Sequence, residues 1–189
     1  MTDINEPGTE PQDAKRRDAD RLGRQADVEL LAFAELLFFA YRDFTADPDA
    51  MLKDFGFGRA HHRVLHFVNR HPGLRVADLL DVLKITKQSL GRVLKQLIDK
   101  GYIVQRAGSV DRRERLLYPT ESGRMLAKRL AAPQLVRLAE AVTAAGPGAP
   151  MMVRHFLQAM INAEERPKVS SIMASPAGTA GIDGKGEES

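Results

Sequence analysis

The chain has 189 residues, a formal net charge of +3 and no cysteine. This length suits one domain, and the lack of thiols excludes disulfides, thiolate metal sites and redox sensing through cysteine. The N-terminus has no apolar core of a secretory signal, and the most apolar run, residues 30–40, is too short to span a bilayer. We therefore expect a soluble, cytoplasmic protein with no membrane partner.

The positive charge is concentrated in the middle of the chain. From residue 59 to residue 129, Lys and Arg outnumber Asp and Glu by 16 to 6, whereas the other residues carry 12 basic and 19 acidic side chains. A basic middle between acidic flanks indicates a polyanionic partner for the middle alone. A merely solvated, charged surface explains the same counts, so the motifs have to decide between the two interpretations.

The two ends of the chain lack the periodicity of folded elements. Residues 1–22 are rich in charged residues and Pro, and residues 167–189 are small, polar and rich in Gly and Ser. We expect a disordered leader and a disordered tail. Residues 27–44 form a helical pattern that is apolar on more than one face, which requires cover on nearly all sides. A second subunit would supply that cover, and Asp47-Pro48-Asp49 predicts a loop after this helix.

Three helices are predicted after residue 59, with a stop at His71-Pro72-Gly73 between the first two. The second carries one apolar stripe, and the third buries Leu residues and ends before Gly101. Thr86 can accept the free N–H groups at the start of the third helix. Only Lys84 and Ile85 lie between the second helix and Thr86. So short a connection forces the helices to cross, which is the geometry of a helix-turn-helix.

After Gly101 the spacing of apolar residues changes from the helical period to the alternation typical of a β-strand. Residues 102–106 and 115–118 are short β runs joined by a charged, turn-rich loop, which predicts a hairpin with a basic tip. Thr120 then caps a long helix that reaches about residue 145, and a last amphipathic helix covers 151–165. The predicted fold class is mainly α (α+β): a winged helix-turn-helix with a two-stranded β wing and helices at both termini.

The order of these elements resembles the MarR family of bacterial transcriptional regulators. Residues 111–123, DRRERLLYPTESG, are similar to that family's wing signature, D-x-R followed by an apolar strand, a Thr and a Gly, and residues 76–102 match its helix-turn-helix. Two positions depart from the pattern. Lys84 stands where many members have Gly in the turn, and Pro119 replaces an apolar residue. Neither threatens the fold, because Pro at a strand end forgoes only one ladder bond.

The resemblance implies one domain over residues 23–166, with dimerisation helices at 25–45 and 121–165 on either side of a winged helix-turn-helix at 57–120. It also implies a homodimer that binds double-stranded DNA, usually as a repressor. A small-molecule effector would bind between the dimer helices and the DNA-binding lobe. No cofactor is implied, and a DNA-binding architectural or constitutive regulator without an effector stays open as the alternative.

The third helix is the expected reader of the major groove, since an α-helix fits that groove. Gln88, Ser89 and Arg92 lie in its N-terminal half, which approaches the base edges, whereas Lys87 and Lys95 suit phosphates. The candidate DNA-binding residues are therefore Thr86, Lys87, Gln88, Ser89, Arg92 and Lys95 in the helix and Asp111, Arg112 and Arg113 in the wing. Arginines at the wing tip suit the negative minor groove. By resemblance, Arg113 is the family's minor-groove arginine and Asp111 pairs with a basic side chain.

Other functions have weaker support. His62 and His66 have the i, i+4 spacing of a metal pair, but His61, His62 and His66 lack an obvious acidic partner, and packing or phosphate contact is the stronger interpretation. The sequence has no Gly-rich phosphate loop, no Ser nucleophile motif and no recognisable pair of catalytic carboxylates. We therefore expect that the protein is not an enzyme. The Lys and Arg residues of the third helix argue against a winged helix that contacts only other proteins.

Overall fold

A computed structural model of the chain describes residues 10–109 and 111–174, with side chains from residue 25 onward. The chain divides into two compact units after Phe44. The elements of the described residues are, in chain order, α1 (Glu10–Lys53), α2 (Arg59–Arg70), β1 (Leu74–Arg75), α3 (Val76–Leu83), α4 (Lys87–Asp99), β2 (Ile103–Ala107), β3 (Arg115–Pro119), α5 (Glu121–Ala144), α6 (Ala149–Met160) and α7 (Arg166–Ala174). Among them, no helix combines the length and the apolar character needed to cross a membrane.

The first unit consists of the N-terminal part of α1. The helix begins at Glu10, so the expectation of a disordered leader over 1–22 is wrong for residues 10–22, and residues 1–9 lie outside the described part. These residues carry charges without an apolar stripe, but Ala, Arg, Lys, Gln and Leu are all strong helix formers. The apolar side chains predicted to need cover are exposed on the single chain, as at Leu31, Phe38 and Tyr41.

The loop predicted at Asp47-Pro48-Asp49 is also wrong, because α1 continues through Pro48 to Lys53. Pro48 and Leu52 are completely buried. An internal Pro costs a helix about 3 kcal/mol through its missing N–H and its clash with the preceding turn. Burial of these two side chains in the second unit stabilises the helical path that local propensity disfavours.

The second unit has one hydrophobic core, which α2, α3, α4, α5 and the sheet enclose. Its fully buried side chains are mainly Leu and Val. Helices α2, α3 and α4 each contribute one stripe at helical spacing, as predicted from the sequence, whereas α5 contributes Leu126 and Leu130. The members with almost no exposure include Leu52, Val64, Leu65, Val68, Leu79, Leu97, Ile103, Leu117 and Leu130. This core fixes α4 and the hairpin relative to one another.

The sheet has three antiparallel strands in the order β1-β3-β2. The predicted hairpin is present, with Ile103 opposite Pro119 and Ala107 opposite Arg115. The two-residue strand β1 adds to the free edge of β3, with Leu74 opposite Leu117. The predicted winged helix-turn-helix is thus confirmed, and its two-stranded wing gains a third strand that joins it to the N-terminus of α3.

The C-terminal elements differ from the sequence-based boundaries. Helix α6 covers Ala149–Met160, not 151–165, because Ile161 turns into an extended conformation. Arg166 then donates to the carbonyl oxygens of Ile161 and Ala159 at 2.8 and 2.7 Å, which satisfies the end of α6. Helix α7 occupies part of the tail that we expected to be disordered, and residues 175–189 lie outside the described part.

Two glycines differ in the space around them, so we expect Gly→Ala to have opposite effects on stability at the two positions. A Cβ on Gly123, in the first turn of α5, would lie 2.0 Å from the carbonyl oxygen of Tyr102, whereas a Cβ on Gly91, in α4, would meet nothing within 4 Å. We expect Gly123→Ala to lower the free energy of unfolding by about 1–3 kcal/mol, since backbone must move. Gly91→Ala should raise it by about 0.5–1 kcal/mol, because Ala is the better helix former.

Urea denaturation of the two variants and the parent chain measures both effects. Gly91→Ala is the matched control, because it adds the same methyl group to a helix of the same unit. A stability of Gly123→Ala equal to that of the parent would contradict the close approach of α5 to Tyr102.

Candidate nucleic-acid interface

The turn between α3 and α4 sets the direction of α4. Lys84 ends α3 in the left-handed conformation, with φ 50° and ψ 45°, and its backbone N–H donates to the Leu80 carbonyl at 3.0 Å. By the resemblance, many members of the family have Gly at this position, and Gly adopts that conformation without the steric cost of a Cβ. Thr86 then begins α4, and its Oγ1 accepts the backbone N–H of Ser89 at 3.1 Å. The N-cap predicted at Thr86 is therefore present.

Helix α4 has two chemically distinct faces. Its inner face packs into the core through Leu90, Val93, Leu94 and Leu97, all of which are buried. Its outer face is exposed and carries the helix residues that we expected to contact DNA, namely Lys87, Gln88, Ser89, Arg92 and Lys95. Burial of the inner face fixes the rotation of the helix, so the outer face is presented as one continuous polar surface.

Some side chains of the outer face form hydrogen bonds or ion pairs with neighbouring residues, and others do not. The hydroxyls of Thr86 and Ser89 bond to each other at 2.9 Å as part of the cap. Lys95 pairs with Asp99 one turn later at 2.5 Å. Within the described part of the chain, Gln88 and Arg92 form no hydrogen bond or ion pair. These two side chains lie one turn apart on the same face and keep all their donors available for a ligand.

The C-terminal half of α4 is tied to the start of α2 by a contact that no sequence pattern predicts. His61 Nδ1 accepts the Gly58 backbone N–H at 3.1 Å, so its Nε2 carries the proton and donates to Gln96 Oε1 at 2.5 Å. The His61 ring also stacks on Phe57, with 4.6 Å between the ring centroids. His61 therefore connects two helices and is not arranged as a metal ligand.

The other two histidines of the cluster differ in environment. His62 is buried, whereas His66 is exposed. Burial lowers the pKa of His62 below its ordinary value, and the nearby charge of Asp49 acts in the opposite direction. Among residues whose side chains are described, no three His, Asp or Glu side chains are grouped to hold a metal ion. Packing is the role that the position of His62 supports.

The wing tip is shaped by hydrogen bonds to its own backbone. Asp111 Oδ1 accepts the Arg113 N–H at 2.8 Å, and the Gly108 N–H donates to the Glu114 carbonyl at 3.1 Å. Arg115 reaches back to the Arg112 carbonyl at 3.2 Å. Among the residues that the structure describes, Asp111 forms no ion pair, so the expected pairing with a basic side chain is replaced by this bond to the backbone. A carboxylate so close in sequence to the turn is better placed to accept a backbone N–H of that turn.

Glu114 makes the ionic connection that we expected of Asp111. Arg75, the residue before α3, binds both carboxylate oxygens of Asp78 at 2.7 and 2.8 Å and reaches Glu114 Oε1 at 3.2 Å. The hydrogen bonds to Asp78 and then Glu114 raise the pKa of Arg75 above its ordinary value. The wing and the helix-turn-helix thus share one guanidinium group, while Arg112 and Arg113 are exposed at the tip.

Weakening the ion pair between Arg75 and Glu114 should increase the motion of the wing and change the stability of the protein little. Glu114→Gln weakens the bond to Arg75, so amide hydrogens in the wing should exchange faster with solvent. The free energy of unfolding should fall by less than about 1 kcal/mol, because the pair is solvent-exposed. Glu121→Gln, which weakens the exposed pair of Glu121 with Arg124 on α5, is the matched control. Equal exchange rates in the wings of the two variants would contradict the role of Arg75.

Comparison with known proteins places this geometry in a family. The sequence profile of the MarR family matches residues 55–114, which include α2, α3, α4, β2 and the wing tip. Over 136 residues the chain is 51% identical to the HTH-type transcriptional regulator PetP of Rhodobacter capsulatus, covering 72% of this chain and 82% of that protein.

Two solved structures share the fold. A putative MarR family transcriptional regulator from Listeria monocytogenes, complexed with 26mer DNA, matches with a TM-score of 0.59 and 18% identity, covering 74% of this chain and 93% of that one. A MarR family regulator from Silicibacter pomeroyi matches with a TM-score of 0.59 and 19% identity, covering 68% and 88%. These structures show the fold, and the 51% identity to PetP over most of both chains, together with the profile match, shows the family: the chain belongs to the MarR family of helix-turn-helix transcriptional regulators.

Proposed function

We propose that this regulator binds a palindromic operator in double-stranded DNA as a homodimer, and that it represses transcription until a small-molecule effector releases it. The main support for this proposal comes from Gln88 and Arg92. Both side chains are exposed on the outer face of α4, and neither has a hydrogen-bond or ion-pair partner among the described residues. The inner face of the same helix is buried in the core. A fixed helix with free donors is what sequence-specific reading of the major groove requires.

The side chains of α4 divide by chemistry into base readers and phosphate contacts. Arg can bond bidentately to guanine and Gln to adenine, so Arg92 and Gln88 are the proposed readers. Lys87 and Lys95 are placed to contact phosphates. The pair of Lys95 with Asp99 does not prevent this, because the Lys95 side chain is 75% exposed, and such pairs contribute only about 0–1 kcal/mol.

The wing adds a second contact to DNA. Arg112 and Arg113 are exposed on a narrow hairpin, and arginine is attracted to the strong negative potential of a narrow minor groove. The relative from Listeria monocytogenes with the same fold was solved with DNA, which supports DNA as the polyanionic partner of this chain's basic middle.

The homodimer is proposed from apolar surface that the single chain leaves exposed. Phe38 of α1 is 73% exposed and Met152 of α6 is 72% exposed. Large apolar side chains around them are also exposed, including Leu31, Phe33, Leu36 and Phe39 on α1 and Met151, Phe156, Leu157 and Met160 on α6. Monomeric proteins rarely expose contiguous apolar patches of this kind, which mark interaction surfaces.

We expect α4 variants to separate base reading from phosphate contact. Arg92→Ala should weaken operator binding by about 1–3 kcal/mol and relax specificity at one position of each half-site. Lys95→Ala should weaken binding to operator and random DNA alike, and it should reduce the salt dependence by about one counterion per subunit. Arg113→Ala should weaken binding most where the flanking minor groove is narrow and A·T-rich.

Fluorescence anisotropy on operator and random duplexes over a salt series measures all three effects. Lys128→Ala, an exposed lysine of α5 outside the proposed interface, is the control for loss of one positive charge. Identical behaviour of Arg92→Ala and Lys95→Ala on both DNAs would disprove the division of roles. Unchanged affinity of both would show that α4 is not the recognition helix.

The oligomeric state is tested by multi-angle light scattering at micromolar concentration. We expect the mass of two chains, and Phe38→Asp should shift the equilibrium towards monomer because it buries a charge in the proposed interface. A stable monomeric mass of the parent chain would contradict the homodimer.

The response to an effector is tested separately. If the protein bound its operator and no small molecule released the DNA, the protein would be a constitutive regulator without an effector, which is the alternative function.

A further inference from the structure

Lys84 lies at the point where the chain passes from α3 to α4. In helix-turn-helix docking the first helix crosses the DNA backbone and the second enters the major groove, so a residue between the two helices is expected near the phosphates. The Lys84 side chain is 59% exposed, and the side chain of Lys87 at the start of α4 is exposed as well. The turn therefore places two cations at the edge of the proposed DNA-reading surface.

The backbone conformation of Lys84 does not favour a lysine. Its φ of 50° and ψ of 45° are left-handed, and every side chain with a Cβ has a steric cost there that Gly avoids. A residue held in such a conformation indicates that its side chain has a role that offsets the cost. Arg63 of α2 donates to the Leu83 carbonyl at 3.3 Å, which fixes the turn. The Lys84 side chain can therefore change its partner while the backbone of the turn stays in place.

The C-terminal segment supplies the present partner of this lysine. Lys84 Nζ donates to Glu165 Oε1 at 2.7 Å. The hydrogen bond to Glu165 raises the pKa of Lys84 above its ordinary value, and the charges of Glu165, Asp81 and Glu164 act in the same direction, whereas burial opposes them. Lys84 is therefore fully charged at neutral pH, but a carboxylate of the same chain compensates its charge.

Glu165 is held in place by contacts that do not involve Lys84. The next residue, Arg166, donates to two carbonyl oxygens at the end of α6. One turn further along α7, Lys168 pairs with Asp81 of α3. The Glu165 carboxylate is thus fixed beside the turn from both sides. It stays there when Lys84 changes its partner, so it competes with any other anion for this lysine.

We propose that Lys84 is a further DNA contact, which binds a phosphate of the DNA backbone, and that Glu165 lowers DNA affinity by competing with this phosphate. The inference deepens the proposed function and rests on it. Phosphate and carboxylate oxygens accept the same charge-assisted hydrogen bond, so DNA exchanges one acceptor of Lys84 for another. An exposed ion pair is weak enough to be displaced, but its loss reduces the gain from the new contact.

The test of the competition compares Glu165→Gln with Glu164→Gln in the full chain. Both variants remove one negative charge from the same place, but Glu164 forms no hydrogen bond or ion pair among the described residues, so Glu164→Gln is the matched control. Fluorescence anisotropy at low salt measures binding to a duplex selected for tight binding and to a duplex of random sequence. We expect Glu165→Gln to tighten binding to both duplexes about fivefold, because two exposed pairs per dimer no longer compete with DNA. Glu164→Gln should change it less than twofold.

Lys84→Gly tests the contact of the lysine itself. It should weaken binding to both duplexes about threefold, since phosphate contacts carry no sequence information, and reduce the salt dependence by about one counterion per subunit. Gly fits the left-handed turn, so urea denaturation should show a stability at least equal to that of the parent chain. In the Lys84→Gly background, Glu165→Gln should change DNA affinity less than twofold, because the two residues act through one contact.

Three results would overturn the inference. Equal effects of Glu165→Gln and Glu164→Gln would show that only the general loss of negative charge matters. A fivefold gain from Glu165→Gln that persisted in the Lys84→Gly background would show that Glu165 acts on another group. Unchanged DNA affinity of Lys84→Gly would remove the phosphate contact. In each case a parent chain that binds the selected duplex leaves the proposed function intact, whereas a parent chain that binds neither duplex would disprove that function itself.

Discussion

The three residues between α3 and α4 are the constraint on which the rest of the structure depends. Lys84 reverses the chain in a left-handed conformation, and Thr86 caps α4 through the Ser89 N–H. The connection is too short to allow other crossing geometries, so the Leu and Val stripe of α4 meets the core and its polar face must point outwards. Lys84 occupies a backbone conformation that Gly adopts without the steric cost of a Cβ.

The buried side of α4 stabilises the fold, whereas its exposed side is the proposed DNA-reading surface. The buried side of α4 belongs to the same core as Leu65, Leu79 and Leu117. On its exposed outer side, Gln88 and Arg92 form no hydrogen bond or ion pair with another described residue, so we expect them to contribute little to folding. The wing is joined to this frame by Arg75, which binds Asp78 and Glu114 together. Under the proposed function, DNA affinity can therefore vary through exposed side chains without loss of the fold.

The features predicted correctly from the sequence are those encoded by neighbouring residues. Thr86 and Thr120 cap helices through N–H groups three residues later, and apolar spacing gives α2, α3, α4 and the hairpin. The errors come from contacts between distant segments. Pro48 stays helical because its burial outweighs local propensity, and Glu114 replaces Asp111 through a partner 39 residues away. The C-terminal segment is held against α3 by two ion pairs, Lys84 with Glu165 just before α7 and Asp81 with Lys168 in α7. Strand β1, with two residues, is too short to give a period.

The central claim is that the free face of α4 reads DNA sequence. A crystal structure of the chain with an operator duplex, obtained by selecting tight-binding sequences from a random library, tests it most directly. We predict two α4 helices of a dimer in successive major grooves about one helical turn apart, with Arg92 and Gln88 within about 3.2 Å of base edges. A complex in which α4 pointed away from the grooves, or in which only the wing and phosphates were contacted, would contradict the account.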